Sequence, residues 1–229
     1  MTEHPEHPKH PGRFVVCGTD TDVGKTVVSA LLVQGLGARY WKPVQCGLEQ
    51  GEGDRDRVQR WLELPAERIL PEAYRFEAPV SPHWASALEG AAAIDPEQLS
   101  LPACDGPLVV ETAGGLLVPL RLDLLQIEVL QRWGLPVLLV ARSGLGTLNH
   151  TLLSLEALRR RTIPVAGVLL NGEPHPNNAS TLASLGGVPL LGCLPPLQQI
   201  NAEALDLQWQ ALDLAHKLRA SAAAIASQP

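Results

Sequence analysis

What the chain lacks narrows its class before any motif is read. No apolar stretch approaches the ~20 residues that a membrane-spanning helix needs; the hydrophobic runs are short and broken by Gly or Pro. The N-terminus carries no apolar core of a secretory signal, so the expectation is a cytoplasmic chain without a signal peptide or membrane partner. Basic residues are outnumbered, 18 Lys and Arg against 24 Asp and Glu, for a formal net charge of −6. The one basic run is Arg159-Arg160-Arg161. General binding of nucleic acid is therefore not expected. Cysteines are few and scattered, at 17, 46, 104 and 193, with no Cys-x-x-Cys and no histidine at zinc spacing. That excludes a disulfide framework and a zinc-finger-like site. No repeat recurs at a fixed period.

What is present is an ordinary globular composition, 229 residues of which 45% are hydrophobic, enough for a sizeable core. Residues 1–13 form a biased tail in which His4, His7 and His10 are each followed by proline. Proline blocks helix and ladder alike, so this segment is expected to be extended and disordered. Its imidazoles are either incidental or metal ligands. From 14 onward strand and helix patterns alternate. Strands are predicted at 14–17, 39–44, 107–111, 136–141, 164–171 and 188–191. Helices are predicted at 24–37, 54–64, 122–133, 148–161, 178–185 and 202–226. Continuous Val/Leu runs alternating with helices predict a mostly parallel, doubly wound α/β sheet covered on both faces, in one domain over 14–229.

The sharpest motif is Gly18-Thr19-Asp20-Thr21-Asp22-Val23-Gly24-Lys25-Thr26. It follows the first predicted strand and opens the first helix, the context that a phosphate loop requires. Backbone N–H groups at a helix start face an anion, and glycines allow close approach. Lys25 supplies a point charge for the β/γ-phosphates, and the Thr26 hydroxyl suits Mg²⁺. Thr19 stands where the first glycine of the usual spacing would be, with Gly18 one residue earlier. Asp20 and Asp22 are unusual in a phosphate cradle. They serve either the turn and the helix dipole or a cationic substrate beside the phosphates.

Further groups fall at predicted strand ends, where such sheets bind ligands. Lys42 ends the second strand in Tyr40-Trp41-Lys42-Pro43-Val44-Gln45-Cys46-Gly47. Asp54 and Asp56 open the next helix, either as caps or as oxygen ligands for Mg²⁺. Glu111 ends a buried strand and leads into Thr112-Ala113-Gly114-Gly115, a second place for a metal-holding carboxylate. Arg142-Ser143-Gly144-Leu145-Gly146-Thr147-Leu148-Asn149-His150 opens another helix. Its N–H groups either bind an anion such as a carboxylate or are simply capped by Thr147 or Asn149.

In order, GTDTDVGKT, YWKPVQCG, SPHWAS, VETAGGLLVPL, RSGLGTLNH and GVLLNG resemble the dethiobiotin synthetase family over roughly residues 14–197. The resemblance implies a P-loop NTPase-like fold and ureido ring closure of 7,8-diaminononanoate with CO2, driven by ATP with Mg²⁺. A carbamate and a carbamic-phosphoric anhydride are the implied intermediates. It implies catalytic roles for Lys25, Lys42 and Thr21, and Thr26, Asp54 and Glu111 as metal ligands, with Asp56 as the alternative aspartate. Nucleotide contacts would come from Asp22, Val23, Gly24, Lys25, Thr26, Val27 and Asp54. Glu111, Thr112, Ala113, Gly114, Asn171, Gly172, Pro195, Pro196 and Leu197 would add to them. Substrate would meet Lys42, Cys46 and, across a homodimer interface, Gly146, Thr147, Leu148 and Asn149. Two positions depart from the family pattern. Cys46 replaces a small hydroxyl residue, a weaker donor. Thr112 replaces a glycine, with less conformational freedom. A regulatory P-loop ATPase of the deviant Walker type also has a parallel sheet and Gly-Lys-Thr, but it needs neither the Lys42 loop nor the Gly146–Asn149 loop. Another ATP-dependent amide-forming synthetase would need a glutaminase region for which the chain is short.

Overall fold

The computed structural model describes residues 12–227. The expected His/Pro tail, with His4, His7 and His10, lies outside the described residues except for its last two positions. The chain runs through β1 (Arg13–Gly18), α1 (Lys25–Leu36), β2 (Arg39–Trp41), β3 (Val44–Gln45), α2 (Asp54–Leu62) and β4 (Tyr74–Arg75). Next come α3 (Pro82–Leu88), β5 (Leu108–Gly115), β6 (Pro119–Arg121), β7 (Leu124–Leu125), α4 (Gln126–Trp133) and β8 (Val137–Arg142). The last part holds α5 (Thr147–Arg159), β9 (Val165–Asn171), α6 (Asn178–Leu185), β10 (Leu190–Leu194), α7 (Ala202–Ala211) and α8 (Leu214–Ala226).

Six strands form one sheet in the order β10-β9-β8-β1-β5-β2, and every neighbouring pair is parallel. From β1 the chain crosses to the β2 edge, returns to β5 between them, and then moves outward through β8, β9 and β10 on the other side, so the doubly wound expectation holds. Side-chain alternation sorts the two faces. Phe14, Val16, Tyr40, Val109, Leu138 and Val140 pack with α1, α2, α7 and α8. Val15, Cys17, Trp41, Leu108, Val110 and Val137 pack on the opposite face with α4 and α5. α1 is the central helix: Val28, Ala30, Leu31, Leu32 and Val33 are all fully buried. Each fully buried leucine contributes roughly 1.5–3 kcal/mol.

Several element boundaries differ from expectation. β5 runs on to Gly115, so Glu111 lies within the strand rather than at its end, and four other boundaries move for identifiable reasons. The strand predicted at 39–44 stops at Trp41, because Pro43 has no N–H to give to a ladder; the Pro43 carbonyl instead accepts the Ala73 and Tyr74 amides, at 2.9 and 3.0 Å. β3 then pairs with β4 in a separate two-stranded sheet. The helix predicted from 122 begins at Gln126, since 119–125 is the antiparallel β6–β7 pair and the Glu128 carboxylate accepts the Leu125 N–H at 2.8 Å. The strand predicted at 188–191 runs over Leu190–Leu194, beyond Pro189. The long C-terminal helix is two helices, broken at Leu212 and at Asp213, whose φ is 49°.

Because all six strands run the same way, their C-terminal ends share one edge. Gly18, Lys42, Glu111, Arg142, Asn171 and Leu194 are delivered there by six segments of chain. Among the described residues, no helix is long and apolar enough to cross a membrane.

Candidate active site

The phosphate loop joins β1 to α1. Gly24 caps the helix with φ 94° and no side-chain hydrogen bond, so the first-turn N–H groups of α1 stay open to a ligand. A β-carbon on Gly24 would sit 2.1 Å from Asn171 Nδ2, whose amide donates to the Val23 carbonyl at 3.1 Å. Only glycine satisfies both the left-handed φ and this close approach. Lys25 is buried, and its Nζ donates to the Asp20 carbonyl at 2.9 Å. Burial lowers its pKa, Glu111 opposes that shift, and the charge of Lys42 reinforces it.

Beside the loop lies a buried charged cluster. Lys42 Nζ donates to Glu111 Oε1 at 3.0 Å and to Asp54 Oδ2. The Thr26 hydroxyl donates to the same Glu111 oxygen at 3.0 Å. Tyr40 donates to the other, Oε2, at 2.9 Å. Glu111 is fully buried and Lys42 is 5% exposed. Burial works against the Lys42 charge, but Glu111 and Asp54 outweigh it and hold its pKa above the ordinary value. For Asp54, burial acts upward, yet Lys42 and the Thr26 hydroxyl pull its pKa down. Lys42 therefore stays an ammonium and Asp54 a carboxylate around neutral pH. Burial, and then Glu111, raise the Tyr40 phenol well above its ordinary value, so it remains a donor.

Asp54 reaches this cluster as the first residue of α2. The cap of that helix is Gly53, and the Asp54 N–H is accepted by Gln45 Oε1 at 3.1 Å. Capping by the Asp54 carboxylate is thus replaced by capping from Gln45, which frees the carboxylate for Lys42. Of the two aspartates, Asp54 is the one that Lys42 contacts.

Thr26, Asp54 and Glu111 bring together one hydroxyl and two carboxylates. Mg²⁺ takes hard oxygen donors and typically draws only one or two carboxylates from the protein, with water and phosphate completing its shell. The donor set fits that chemistry. Among the described residues, no group of three or more His, Cys, Asp or Glu side chains is placed to hold a metal by itself.

The remaining expected nucleotide residues surround the loop. Val16 and Gly18 pair with Glu111 and Gly115 across β1 and β5. Thr112 donates to the Val16 carbonyl at 3.3 Å, on the β1 side of the strand. Ala113 N–H is held by Gln126 Oε1 at 3.0 Å, while Gln126 Nε2 donates to Gly115 O at 2.8 Å. Thr21 and Asp22 are exposed, and Asp22 adopts φ 55°. Thr21 overlies Gly114, where an added β-carbon would be 3.5 Å from Thr21 Oγ1. Val23 is buried, while Val27 packs against the core. Asn171 ends β9 and Gly172 follows it; Gly172 N–H bonds Leu194 O at 2.9 Å, so Pro195, Pro196 and Leu197 emerge alongside them. Cys46 follows β3 on the Lys42 loop, with its thiol pushed up to about 11 by burial.

The α5 loop is a different kind of surface. Gly146 caps α5 with φ 90° and no side-chain bond, so neither Thr147 nor Asn149 is the cap. Thr147 is buried, its hydroxyl 3.3 Å from that of Thr151. Leu148 packs inward and Asn149 is exposed. Among the described residues, no hydrogen bond or ion pair joins Gly146–Asn149 to Lys25, Lys42 or Glu111. Arg142 links the preceding turn to the phosphate loop, 3.1 Å from Asp20 Oδ2. Asn178 donates to the Ser143 carbonyl at 2.8 Å and braces that turn.

Tyr40, Gln45 and Gln126 were not singled out from sequence. Tyr40 had a usable signal: it stands two residues before Lys42, on the same side of an extended segment. Gln45 and Gln126 act across loops and gave none.

A strand, an uncapped glycine turn, a helix with Lys25 and Thr26, and a carboxylate on the adjacent strand define a P-loop nucleotide-binding protein. Residues 12–204 match a family described as an AAA domain. In fold the chain is similar to a ParA family ATPase from Chlorobium tepidum (TM-score 0.51, 11% identity, 93% of this chain and 98% of that one). It is also similar to the septum site-determining protein MinD from Pyrococcus horikoshii (TM-score 0.52, 17% identity, 90% and 93%). Relatives in sequence are narrower. The chain is 53% identical to the ATP-dependent dethiobiotin synthetase of Rhodopseudomonas palustris over 84% of this chain and 89% of that protein. Identity to the enzyme of the same name from Agrobacterium fabrum is 51%, over 84% and 90%. The chain belongs to the ATP-dependent dethiobiotin synthetase family.

Proposed function

We propose that this chain is a carbon–nitrogen cyclo-ligase that closes the ureido ring of dethiobiotin from 7,8-diaminononanoate, CO2 and ATP. One amine adds to CO2 and loses a proton, giving a carbamate. A carbamate oxygen attacks the γ-phosphorus and ADP leaves, giving a carbamic-phosphoric anhydride. The second amine attacks the carbonyl carbon, phosphate is expelled, and a proton is lost as the ring closes. The reading is carried by one observation: the Lys42 ammonium is held by Glu111 and Asp54 beside the open end of α1.

The electrostatics suit these steps. Every intermediate is anionic, and phosphoryl-transfer sites act mainly by positioning and by stabilising spread charge. Lys42 is too strongly paired to give up its proton, so it serves as a fixed positive charge at the carbamate rather than as a base. Lys25 faces the β/γ-phosphates, and Thr21 holds the diamine over Gly114. Thr26, Asp54 and Glu111 would hold Mg²⁺, which when bound neutralises phosphate charge. Asn171, Gly172 and Pro195–Leu197 would hold the adenine. Cys46 lines the diamine side as a neutral thiol.

The active unit in this reading is a homodimer, with the α5 start of one subunit binding the substrate carboxylate of the other. The open N–H groups after Gly146 support it, as do the fully exposed Leu145 and the exposed Leu153 beside them. Incubating purified protein with diaminononanoate, bicarbonate and Mg-ATP tests the whole reading. Mass detection of dethiobiotin together with ADP is expected; ATP hydrolysis without dethiobiotin would overturn it.

A further inference from the structure

We propose that Tyr40 is a positioning residue for the metal site, fixing which oxygen of Glu111 faces the ligand. The proposal rests on the reading of Glu111 as a Mg²⁺ ligand. Glu111 is fully buried and its two oxygens are treated differently. Oε1 meets Thr26 and Lys42, each at 3.0 Å, on the phosphate side. Oε2 meets the Tyr40 hydroxyl at 2.9 Å, on the side of the core. Without that donor, the carboxylate would have an unsatisfied buried oxygen and would turn to share its remaining partners.

Tyr40 is itself held on several sides. It is fully buried among α1 and α2 side chains and pairs with Val109 of β5, two residues before Glu111. Its carbonyl accepts the Leu70 N–H at 2.9 Å. The strand pairing thus fixes the phenol, the phenol fixes Oε2, and Oε1 is left aimed at Thr26 and Lys42. Hydrogen bonds to a ligating carboxylate typically carry a 10- to 100-fold effect on metal affinity.

Tyr40→Phe keeps the ring and removes only the hydroxyl. Mn²⁺ binding, read by electron paramagnetic resonance in the presence of a non-hydrolysable ATP analogue, should weaken roughly tenfold. Affinity for the analogue in EDTA should stay at the wild-type value. In a Glu111→Gln background, the same Tyr40 change should add nothing to the loss, an outcome that a purely packing role would not produce. In these binding titrations three results overturn the proposal. If Glu111→Gln weakens Mn²⁺ binding but Tyr40→Phe does not, the positioning role alone falls. If Glu111→Gln itself has no effect, the metal reading falls and this role with it. If the two losses simply add, Tyr40 acts elsewhere. The chain has only two tyrosines, Tyr40 and Tyr74, which gives a check independent of whether Tyr40→Phe folds. In fluorotyrosine-labelled wild-type protein, Mg²⁺ with the ATP analogue should shift the buried Tyr40 fluorine resonance. The Tyr74 resonance should stay in place. An unmoved Tyr40 signal overturns the proposal.

Discussion

The phosphate end and the α5 end of the sheet edge are built on opposite principles. At the phosphate end, four segments of one chain converge. Lys42, Asp54, Glu111, Thr26 and Tyr40 satisfy one another in a buried network. At the α5 end, backbone donors follow Gly146 with no side-chain cap, and Leu145 projects fully exposed. A buried charge network is costly unless every member is paired, so one chain must complete it. An uncapped helix start in the open has no such constraint and can await a ligand or a second subunit. One end is thus finished within the chain and the other left unfinished; in the proposed function they are the phosphoryl-transfer half and the carboxylate half of the site.

The largest expected effect breaks the finished half. In the proposed function Lys25→Ala removes the charge that faces the β/γ-phosphates, an interaction that counts most in the transition state. Ring-closing turnover should fall by about 10²–10³ or more, as when a preorganised donor is lost. Dethiobiotin formation within about tenfold of wild type, roughly 1.4 kcal/mol of barrier, would reject the role given to Lys25.

Glu111→Gln and Asp54→Asn probe the same half more gently. Each removes one partner of Lys42 and, in the proposed function, one hard-oxygen ligand. The Mg²⁺ concentration for half-maximal activity should rise by roughly 10-fold or more, as expected for a lost ligand. ATP-analogue binding in EDTA should change much less. Magnesium titrations that superimpose on wild type would show that neither carboxylate serves the metal. The pH dependence follows from Asp54. Its folded pKa lies below the unfolded value, so its pairing contributes stability above the ordinary carboxylate range, lost as pH falls through the folded pKa. Thermal melts should show a shallower acid limb in Asp54→Asn than in wild type.

The unfinished half is tested by complementation. Lys42→Ala damages the phosphoryl side; Asn149→Ala with Thr147→Pro damages the α5 start. If each site draws on two subunits, a mixed dimer holds one intact site and one doubly damaged site. Half of randomly mixed dimers are mixed, so co-refolded variants should recover about one quarter of wild-type activity, assuming independent sites. Mixed dimers that remain inactive, or a wild type that elutes as a monomer at assay concentration, would show that the α5 loop does not serve a neighbouring site.

The same contrast explains what the sequence could and could not show. Elements whose cause is local were legible: the glycine turn before Lys25, the Val/Leu runs of β1, β8 and β9, and helix α6 at 178–185. The misjudged boundaries are those set by tertiary pairing. Pro43 diverts the chain into the β3–β4 pair, and 119–125 folds into β6–β7 rather than joining α4. In the site, spacing placed Lys42, Asp54 and Glu111 at strand and helix ends but left the choice of Asp54 over Asp56 open. The Lys42 contact and the Gln45 cap favour Asp54, and both depend on a loop conformation that no local pattern encodes.

Cys46 lies on the loop after Lys42, just outside the finished network, and its substitution should have the smallest effect. The thiol is half-buried beside Val44 and Phe76, and burial pushes its pKa up to about 11, against the pull of the Lys42 charge. At pH 7–9 it is therefore protonated, a poor nucleophile and a weak donor. Cys46→Ser places a stronger donor of nearly the same size there, so turnover should stay within about twofold of wild type, below the ~0.5 kcal/mol typical of benign changes, with equal or tighter diamine binding. The sign of the alkaline effect is fixed as well. A folded pKa above the unfolded one contributes stability at pH below the unfolded value and loses it as pH rises through about 11. Wild type should accordingly lose part of its stability across that interval, and Cys46→Ser should lose less. Alkylation of Cys46 by iodoacetamide should climb with a midpoint near 11 rather than the ~8.5 of a free thiol. Rapid labelling at pH 7, or a dead Cys46→Ser enzyme with a covalent adduct trapped on wild type, would make Cys46 a nucleophile and displace the carbamate route.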